Sequence, residues 1–303
     1  NKKRKSIPTF SEAFEEVFRL KQPSWRNVKH GQQFRNTMET YVLPKLGKKS
    51  VTEISAADLL DVLRPIWLEK PETARRVKQR ISSVLNWVVA NGHRLDNPTA
   101  SLSLVLPRQT QKTQHMRSLP YNQVAEFLSA LRQCKAIPST KFAIEFLILT
   151  AARSGEVRNA TWSEINFEEA KWTIPAIRMK AGEEHVVPLS ERCINILEEA
   201  QRLSDCSLIF PGMARHKPMS DMTMSKLVKE LGYDVTIHGF RTTFRIWAQE
   251  QTDAPTEVAE KALAHKIQNK VMAAYARSDL FEKRRELMAE WGAQVLGSSA
   301  GGT

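Results

Sequence analysis

The sequence predicts a mainly α-helical protein with one small antiparallel β-sheet. Its parts are an N-terminal helical bundle and a larger, mostly helical second domain. Three observations support this prediction. Apolar residues recur at helical spacing in most segments of the 303-residue chain. Runs that favour β-structure are few and short, at 162–167, 171–175 and 185–188. A polar, basic stretch without periodicity, residues 106–117, is predicted to be the linker between the two domains.

The first domain, residues 1–105, is predicted to contain four helices joined by short connections. Thr9 and Glu12 have the spacing of a capping box, so the first helix begins there. In the fourth helix, apolar residues follow one face from Val77 to Val88. The first predicted helix begins at Thr9, and the second runs toward Tyr41 and ends before Pro44. The third covers 52–68, and the fourth extends from Pro71 to Gly92.

The second domain, residues 118–303, carries the three β-leaning runs and most of the remaining helical patterns. Two of these runs flank Lys180, Ala181 and Gly182, which predicts a hairpin with the lysine at or near its tip. A buried helix is predicted before Arg153, since apolar residues fill the run that precedes it. The predicted helices of this domain are 121–131, 141–152, 189–203, 224–231, 238–249, a segment from Pro255 toward His265, and 282–291.

The charge of the chain is concentrated in its first part. The formal net charge is +12, and residues 1–118 hold 22 Lys and Arg against 10 Asp and Glu, whereas residues 119–303 hold 23 of each. A polyanion is therefore the expected partner of the first domain. The opening Lys-Lys-Arg-Lys cluster is either a disordered tail or a phosphate contact.

The cysteines and the hydropathy exclude several classes of protein. The three cysteines are odd in number and lack Cys-x-x-Cys spacing, which favours a reducing compartment and argues against a zinc site. No apolar run reaches the about 18 residues that a membrane-spanning helix needs. The chain begins with Asn rather than Met, so we expect it to be part of a longer protein.

Residues that can bind and react with phosphate recur in the second domain. Arg153 and Arg241 offer planar forks of donors that match two phosphate oxygens. His238 lies three residues before Arg241, so both share one face if this segment is helical. His265 can donate a hydrogen bond or move a proton near neutral pH. The two remaining candidates are Lys180, a potential proton donor, and Tyr275, whose hydroxyl can attack phosphorus once it is deprotonated.

These six positions, in this order and in these local contexts, resemble the tyrosine recombinase (phage integrase) family, and in particular the integrases of bacterial prophages and genomic islands. The local phrases are Ala-Arg-Ser-Gly-Glu, Met-Lys, His-Gly-Phe-Arg, Ala-Leu-Ala-His and Ala-Ala-Tyr. The resemblance extends over residues 9–291 and implies a catalytic domain of tyrosine-recombinase type behind a core-binding domain.

The resemblance also implies the chemistry. Tyr275 attacks a DNA phosphodiester and forms a 3′-phosphotyrosine, while Arg153 and Arg241 stabilise the developing charge and replace metal ions. His238 assists proton transfer from the tyrosine, and Lys180 protonates the leaving 5′-oxygen. His265 donates a hydrogen bond to the phosphate, and we expect Glu156 to orient Arg153.

The resemblance implies partners and a cellular setting as well. The expected partner is double-stranded DNA carrying attachment core sites, on which the family assembles as a homotetramer. Accessory DNA-bending and excision factors are further expected partners, no cofactor is needed, and the setting is the bacterial cytoplasm and nucleoid. The last helix, residues 282–291, is the candidate for docking onto a neighbouring protomer, and it carries Lys283, Arg284 and Arg285.

DNA contacts are expected on the polar face of the fourth helix of the first domain, because a helix fits the major groove. Gln79 lies among the cations of that face. Lys29 and His30 on the second helix are weaker candidates, and Arg245 is an additional cation near the catalytic positions. His185 and His216 are interpreted as structural or surface residues. The candidate DNA-binding residues are Lys29, His30, Arg75, Arg76, Lys78, Arg80 and Arg245.

Two other functions stay open from the residues alone. A type IB topoisomerase-like enzyme would use the same chemistry without pairing two duplexes. A DNA-binding regulator would use the same surfaces without cleavage.

Overall fold

The computed structural model of the chain describes residues 7–25, 28–109, 117–203, 205–214, 216–265 and 279–297. The chain forms two compact units, Asn1–Thr113 and Gln114–Thr303. The predicted boundaries, 1–105, 106–117 and 118–303, stay predictions.

In the described residues of the first unit, the regular structure is helical. Phe10, Phe14, Val17, Val77 and Ile81 belong to its fully buried core. Its helices are α1 (Phe10–Lys21), α2 (Val28–Tyr41), α3 (Leu43–Leu46), α4 (Ala56–Trp67), α5 (Pro71–Ala90) and α6 (Leu102–Val105).

Side-chain caps set the beginnings of two of these helices. The carboxylate of Glu12 accepts from the backbone N–H of Thr9 at 2.7 Å, so the predicted capping box is confirmed. Ser55 and Asp58 form a second box, and α4 therefore begins at Ala56 rather than at position 52 as predicted. The short helix α3 includes Pro44, which the sequence analysis treated as a helix end, because proline is compatible with the first turn of a helix.

The second unit is also mainly helical and contains a three-stranded antiparallel sheet, which confirms the predicted fold class. The strands are β1 (Ile165–Asn166), β2 (Lys171–Ile174) and β3 (His185–Pro188). Its helices are α7 (Val124–Gln133), α8 (Pro138–Thr150), α9 (Ser154–Arg158), α10 (Glu191–Leu203), α11 (Thr223–Glu230), α12 (Gly239–Gln251), α13 (Thr256–Ala262) and α14 (Phe281–Leu296).

Strands β2 and β3 form the predicted hairpin. Trp172 is paired with Val187, and Ile174 with His185, so the two strands run antiparallel without a bulge. Residues 175–184 connect them and include Lys180, as predicted. Trp172 is fully buried, and its indole N–H donates to Glu164 at 2.9 Å, which anchors the sheet to the core of this unit.

Helix α14 packs into the core of its own unit. Trp291 is fully buried, and its indole N–H donates to the carbonyl of Ile148 in α8 at 2.8 Å. Arg284 is also fully buried. It therefore cannot belong to an exposed docking surface as predicted, and exposed Lys283 and half-exposed Arg285 remain from the predicted set. No helix in the described ranges has both the length and the apolarity to cross a membrane.

Candidate active site

Arg153 lies at the junction between two helices. The buried helix α8 ends at Thr150, and Ala151 adopts a left-handed backbone conformation with φ 49° that turns the chain toward α9. Glu156, which is 5% exposed, accepts from the backbone N–H of Arg153 and from its guanidinium, both at 2.8 Å. Glu156 therefore orients Arg153, which confirms that prediction.

Arg241 lies in the first turn of α12 and is only 4% exposed. Its guanidinium donates to the carbonyl of Ala151 and, at 2.6 Å, to the carbonyl of Leu263. Its Nε is buried and has no hydrogen-bond partner among the described residues. Burial, and then the charge of Arg153, lower the pKa of Arg241 to about 10, so it stays protonated near neutral pH.

The two arginines meet at the turn that follows α13. Arg153 donates to the carbonyl of Leu263 at 3.4 Å and to that of Ala264 at 3.3 Å. The carbonyl of Leu263 therefore accepts from both guanidinium groups. Two cations that share one acceptor create a local excess of positive charge, and Glu156 supplies a carboxylate to just one of them. Such a site is suited to a phosphate.

A short chain of hydrogen bonds holds His265 at this turn. Its Nδ1 lies 2.7 Å from a carboxylate oxygen of Glu260, and its Nε2 lies 3.3 Å from Arg241. The second oxygen of Glu260 accepts from Arg245 at 2.6 Å. Burial acts to raise the pKa of Glu260, but the hydrogen bonds from Arg245 and His265 outweigh it and lower that pKa. Because Glu260 is ionised, Nδ1 is the protonated nitrogen, and Nε2 faces the arginine.

His238 and Lys180 are both exposed beside these groups. His238 is the residue directly before α12. Burial, and then the positive charges of Arg241 and Arg153, lower its pKa. The charge of Lys180 also contributes, which indicates that the hairpin connection approaches His238.

Arg178 fixes the connection that carries Lys180. It donates to Glu164 at 2.6 Å and to the backbone carbonyl of Glu156 at 3.0 Å. The hairpin is thereby bonded to the helix that begins after Arg153. No role for Arg178 was predicted from the sequence, although this residue lies two positions before Lys180.

The structure thus brings five of the six predicted catalytic residues into one region of the second unit: Arg153, Lys180, His238, Arg241 and His265. Tyr275 lies outside the described residues. Arg245 forms an ion pair with Glu260. Its predicted DNA contact stays a prediction. Glu260 itself was missed, because its contact with His265 depends on the turn after α13, which the helical pattern does not reveal.

The predicted DNA-binding residues of the first unit have different surroundings. Arg75 and Arg76 are exposed and pair with Glu72 at 3.0 and 2.9 Å. Arg80 instead donates to the carbonyl of Gln33 at 2.9 Å and lies over the ring of Phe34. An open cleft between α2 and α5 is lined by residues that include His30, Gln33, Arg75, Arg76, Lys78, Gln79, Arg80 and Asn86.

The remaining predicted residue of this face is Lys29, which is exposed on α2. The cleft combines cations with amide side chains, the two groups that contact phosphates and base edges respectively. Arg80 joins α5 to α2, so its first role is structural.

Side chains that could hold a metal lie elsewhere. Among the described residues, one group of three has ligand atoms within 4.8 Å of one another: Asp205, Cys206 and His216. Asp205 and His216 are exposed, and the group includes none of the predicted catalytic residues. No metal site was predicted, and this surface group does not change the interpretation of the phosphate site.

Comparisons with known proteins connect both units to one family. Residues 10–104 match the phage integrase central domain, and residues 117–280 match the phage integrase family. The integrase of Enterobacteria phage P4 is 31% identical over 88% of this chain and 65% of its own length. The prophage integrase IntZ of Escherichia coli K12 is 32% identical over 93% of this chain and 70% of its own length. The chain thus spans roughly two thirds of these relatives.

A solved structure shares the fold. A lambda integrase tetramer bound to a Holliday junction superimposes with a TM-score of 0.69, at 15% identity, over 89% of this chain and 84% of that chain. At this identity the likeness shows the fold alone.

Proposed function

Because the chain belongs to the phage integrase family of tyrosine recombinases, we propose that it is a site-specific DNA recombinase. It cleaves and rejoins DNA through a 3′-phosphotyrosine and thereby integrates and excises a mobile element. The observation that carries this proposal is the convergence of Arg153 and Arg241 on the carbonyl of Leu263, beside His265. Two guanidinium groups with a shared acceptor and few counterions suit a phosphodiester.

The reaction exchanges one phosphodiester bond for another. The phenolic oxygen of Tyr275 forms a bond to phosphorus, and the bond from phosphorus to the 5′-oxygen breaks. Arg153 and Arg241 stabilise the charge that develops on the non-bridging oxygens. Because the bond energy is kept in the phosphotyrosine, rejoining to a 5′-hydroxyl needs no external energy source.

Two protons move during cleavage. The phenol loses its proton as it attacks, and His238 is the proposed acceptor. Its lowered pKa keeps the imidazole neutral near pH 7, and a neutral imidazole can accept a proton. The leaving 5′-oxygen gains a proton from Lys180. The exposed position of Lys180 on the hairpin connection suits contact with DNA bound outside the protein.

In this proposal Nδ1 of His265 stays bonded to Glu260, which orients the ring, and Nε2 gains a proton when DNA binds, so that it can donate a hydrogen bond to the phosphate. In this structure the Nε2 of His265 lies 3.3 Å from Arg241. DNA binding is therefore expected to change the hydrogen bonds of His265.

The first unit is proposed to bind the attachment core site as a core-binding domain, residues 1–105, joined by linker 106–117 to the catalytic domain. Lys29, His30, Arg75, Arg76 and Lys78 are the proposed phosphate contacts. Gln79 and Asn86 line the same cleft and can read base edges.

The proposed assembly is a homotetramer on DNA, since the lambda integrase of the same fold is a tetramer on a Holliday junction. Accessory DNA-bending and excision factors are proposed as further partners, and the bacterial nucleoid as the site of action. An exposed part of α14 is proposed to dock onto a neighbouring protomer. Lys283 is the exposed cation available for this contact.

The test uses nicked duplexes made from the DNA that flanks the element. The protein is incubated with them in EDTA, and a denaturation-resistant protein–DNA adduct is sought, with Tyr275→Phe as the matched control. An adduct that requires Tyr275 and no metal supports the proposal. The absence of an adduct on DNA that the protein binds would contradict it and favour the DNA-binding regulator.

A type IB topoisomerase-like enzyme would also form the adduct. A substrate with two attachment sites separates it from a recombinase. Exchange between the two sites is the result expected here, and relaxation without exchange would favour the topoisomerase.

A further inference from the structure

Arg284 is a charged residue in the core of the second unit. Its side chain has no exposed surface, although it belongs to the charged helix α14. Burial lowers its pKa, and the charge of Asp279 partly opposes this effect. Burying a guanidinium is costly unless hydrogen bonds compensate for the lost water. The partners of Arg284 therefore indicate what it does.

These partners belong to two separate parts of the unit. Arg284 donates to the carbonyl of Val186 in strand β3 at 2.6 Å. It also donates to the backbone carbonyl of Asp279 at 2.9 Å, and a further N–H donates to the carboxylate of Asp279. Asp279 is the fourth residue after Tyr275 in the sequence. Leu280, which follows, has a left-handed backbone with φ 53° and leads directly into α14.

Strand β3 also holds the other flank of the segment that contains Tyr275. The ring of His185 is hydrogen-bonded to the backbone carbonyl of Ala262, the last residue of α13. His185 and Val186 are adjacent in β3. One dipeptide therefore contacts both flanks of residues 263–278, through a histidine on one side and Arg284 on the other.

The same strand is paired with β2, and the connection between the two strands carries Lys180. The hairpin thus links Lys180, the proposed proton donor, to both flanks of the segment that contains Tyr275. Catalysis by positioning is sensitive to such links, because a displacement of about 1 Å can cost about 100-fold in rate.

We propose that Arg284 is a positioning residue for the cleavage reaction: it anchors the segment after Tyr275 to strand β3 and so holds the nucleophile in register with the hairpin of Lys180. The proposal rests on the proposed function. Arg284 itself does not touch DNA, since its side chain is buried. Its guanidinium is needed because three acceptors in different directions must be satisfied at once.

The variants are chosen to separate anchoring from folding. Arg284→Lys keeps the charge but removes the fork. Asp279→Ala removes the carboxylate partner at a side chain that is 58% exposed, so it is expected to fold. Arg202→Met is the control, because Arg202 is an exposed arginine on α10 of the same unit and belongs to none of the predicted sites.

The first measurement is the single-turnover rate of adduct formation on nicked duplex at saturating DNA. For Arg284→Lys and Asp279→Ala we expect a loss of at least about 10-fold, with DNA affinity within about twofold of wild type. Arg202→Met should cleave at the wild-type rate. Wild-type cleavage rates in both Arg284→Lys and Asp279→Ala would overturn the proposal.

The second measurement separates the nucleophile from the leaving group. A substrate with sulfur in place of the bridging 5′-oxygen has a leaving group that needs no proton donor. It should restore cleavage by Lys180→Ala but not by Arg284→Lys. Restoration of Arg284→Lys would show that Arg284 acts through Lys180 and would overturn the proposal as stated.

The third measurement does not depend on activity. Lys270 and Arg277 are trypsin sites on either side of Tyr275, in the chain between Ala262 and Asp279. Cleavage after these residues should be several-fold faster in Arg284→Lys and Asp279→Ala than in Arg202→Met. Equal cleavage rates would overturn the anchoring role. If wild type forms no adduct, the proposed function fails, while this measurement still decides whether Arg284 is an anchor.

Discussion

His185 is one group through which acid should destabilise the second unit. Burial, and then the positive charge of Arg284, lower its pKa to about 4, with further lowering by Arg153 and Arg241. The hydrogen bond to Ala262 acts in the opposite direction and is outweighed. In the unfolded chain, His185 titrates near its ordinary value of 6.5.

The direction of this change in stability follows from the number of protons that the folded and unfolded chains bind. Between about pH 6.5 and about pH 4, the unfolded chain binds a proton that the folded chain does not. The contribution of His185 to stability is therefore fully present above about pH 6.5 and falls as the pH decreases through this window. One pKa unit corresponds to about 1.4 kcal/mol, so the difference between the two pKa values of His185 changes the free energy of unfolding by at most about 3 kcal/mol. About 2 kcal/mol of this is lost between pH 7 and pH 5.

The assay is urea unfolding at about pH 7 and about pH 5, for wild type and for His185→Asn and His185→Gln. The two amides place an N–H near either ring nitrogen, so one of them keeps the bond to Ala262 without a titrating group. The loss of unfolding free energy between the two pH values should be about 2 kcal/mol smaller in the variants. Equal losses in wild type and both variants would refute this account of His185.

Four further predictions concern other charged residues. Glu156→Gln should slow adduct formation about 10- to 100-fold, because it removes the carboxylate that orients a catalytic guanidinium, a bond worth about 1.5–3 kcal/mol. Glu145→Ala should lower the free energy of unfolding by about 3–5 kcal/mol, since two arginines pair with this buried carboxylate. Arg76→Met should weaken DNA binding and reduce the salt slope by about one. Arg80→Met should chiefly destabilise the first unit, by about 1–3 kcal/mol, because it removes the bond to the carbonyl of Gln33.

Controls and contrary results are specific to each change. For Glu156→Gln, adduct formation at the wild-type rate would show that Arg153 keeps its position without this carboxylate. Exposed Glu198 is the control for Glu145, and Glu198→Ala should leave urea unfolding unchanged within about 0.5 kcal/mol. For the two arginines, Arg76→Met should have the larger effect in filter binding at several salt concentrations, and Arg80→Met should have the larger effect in thermal unfolding. The reverse order would show that Arg80, rather than Arg76, contacts DNA phosphate.

Local patterns predicted much of the fold because their causes are local. The first helix follows from apolar spacing and from the box formed by Thr9 and Glu12. The hairpin follows from two β-leaning runs around Lys180. Boundaries were less accurate where a cap acts, as at Ser55, since a side chain rather than the apolar pattern sets the first residue of the helix.

The sequence by itself determined the chemical types of the proposed catalytic residues, the mainly helical class and the basic character of the first part. The tertiary structure decided the partners. Arg153 meets the carbonyl of Ala264 across 111 residues of chain, and Arg284 meets that of Val186 across 98. Periodicity does not reveal such pairs, because the identity of a residue does not specify which distant backbone carbonyl it will meet. For the same reason the sequence assigned Arg284 to an exposed docking surface, whereas packing places it in the core.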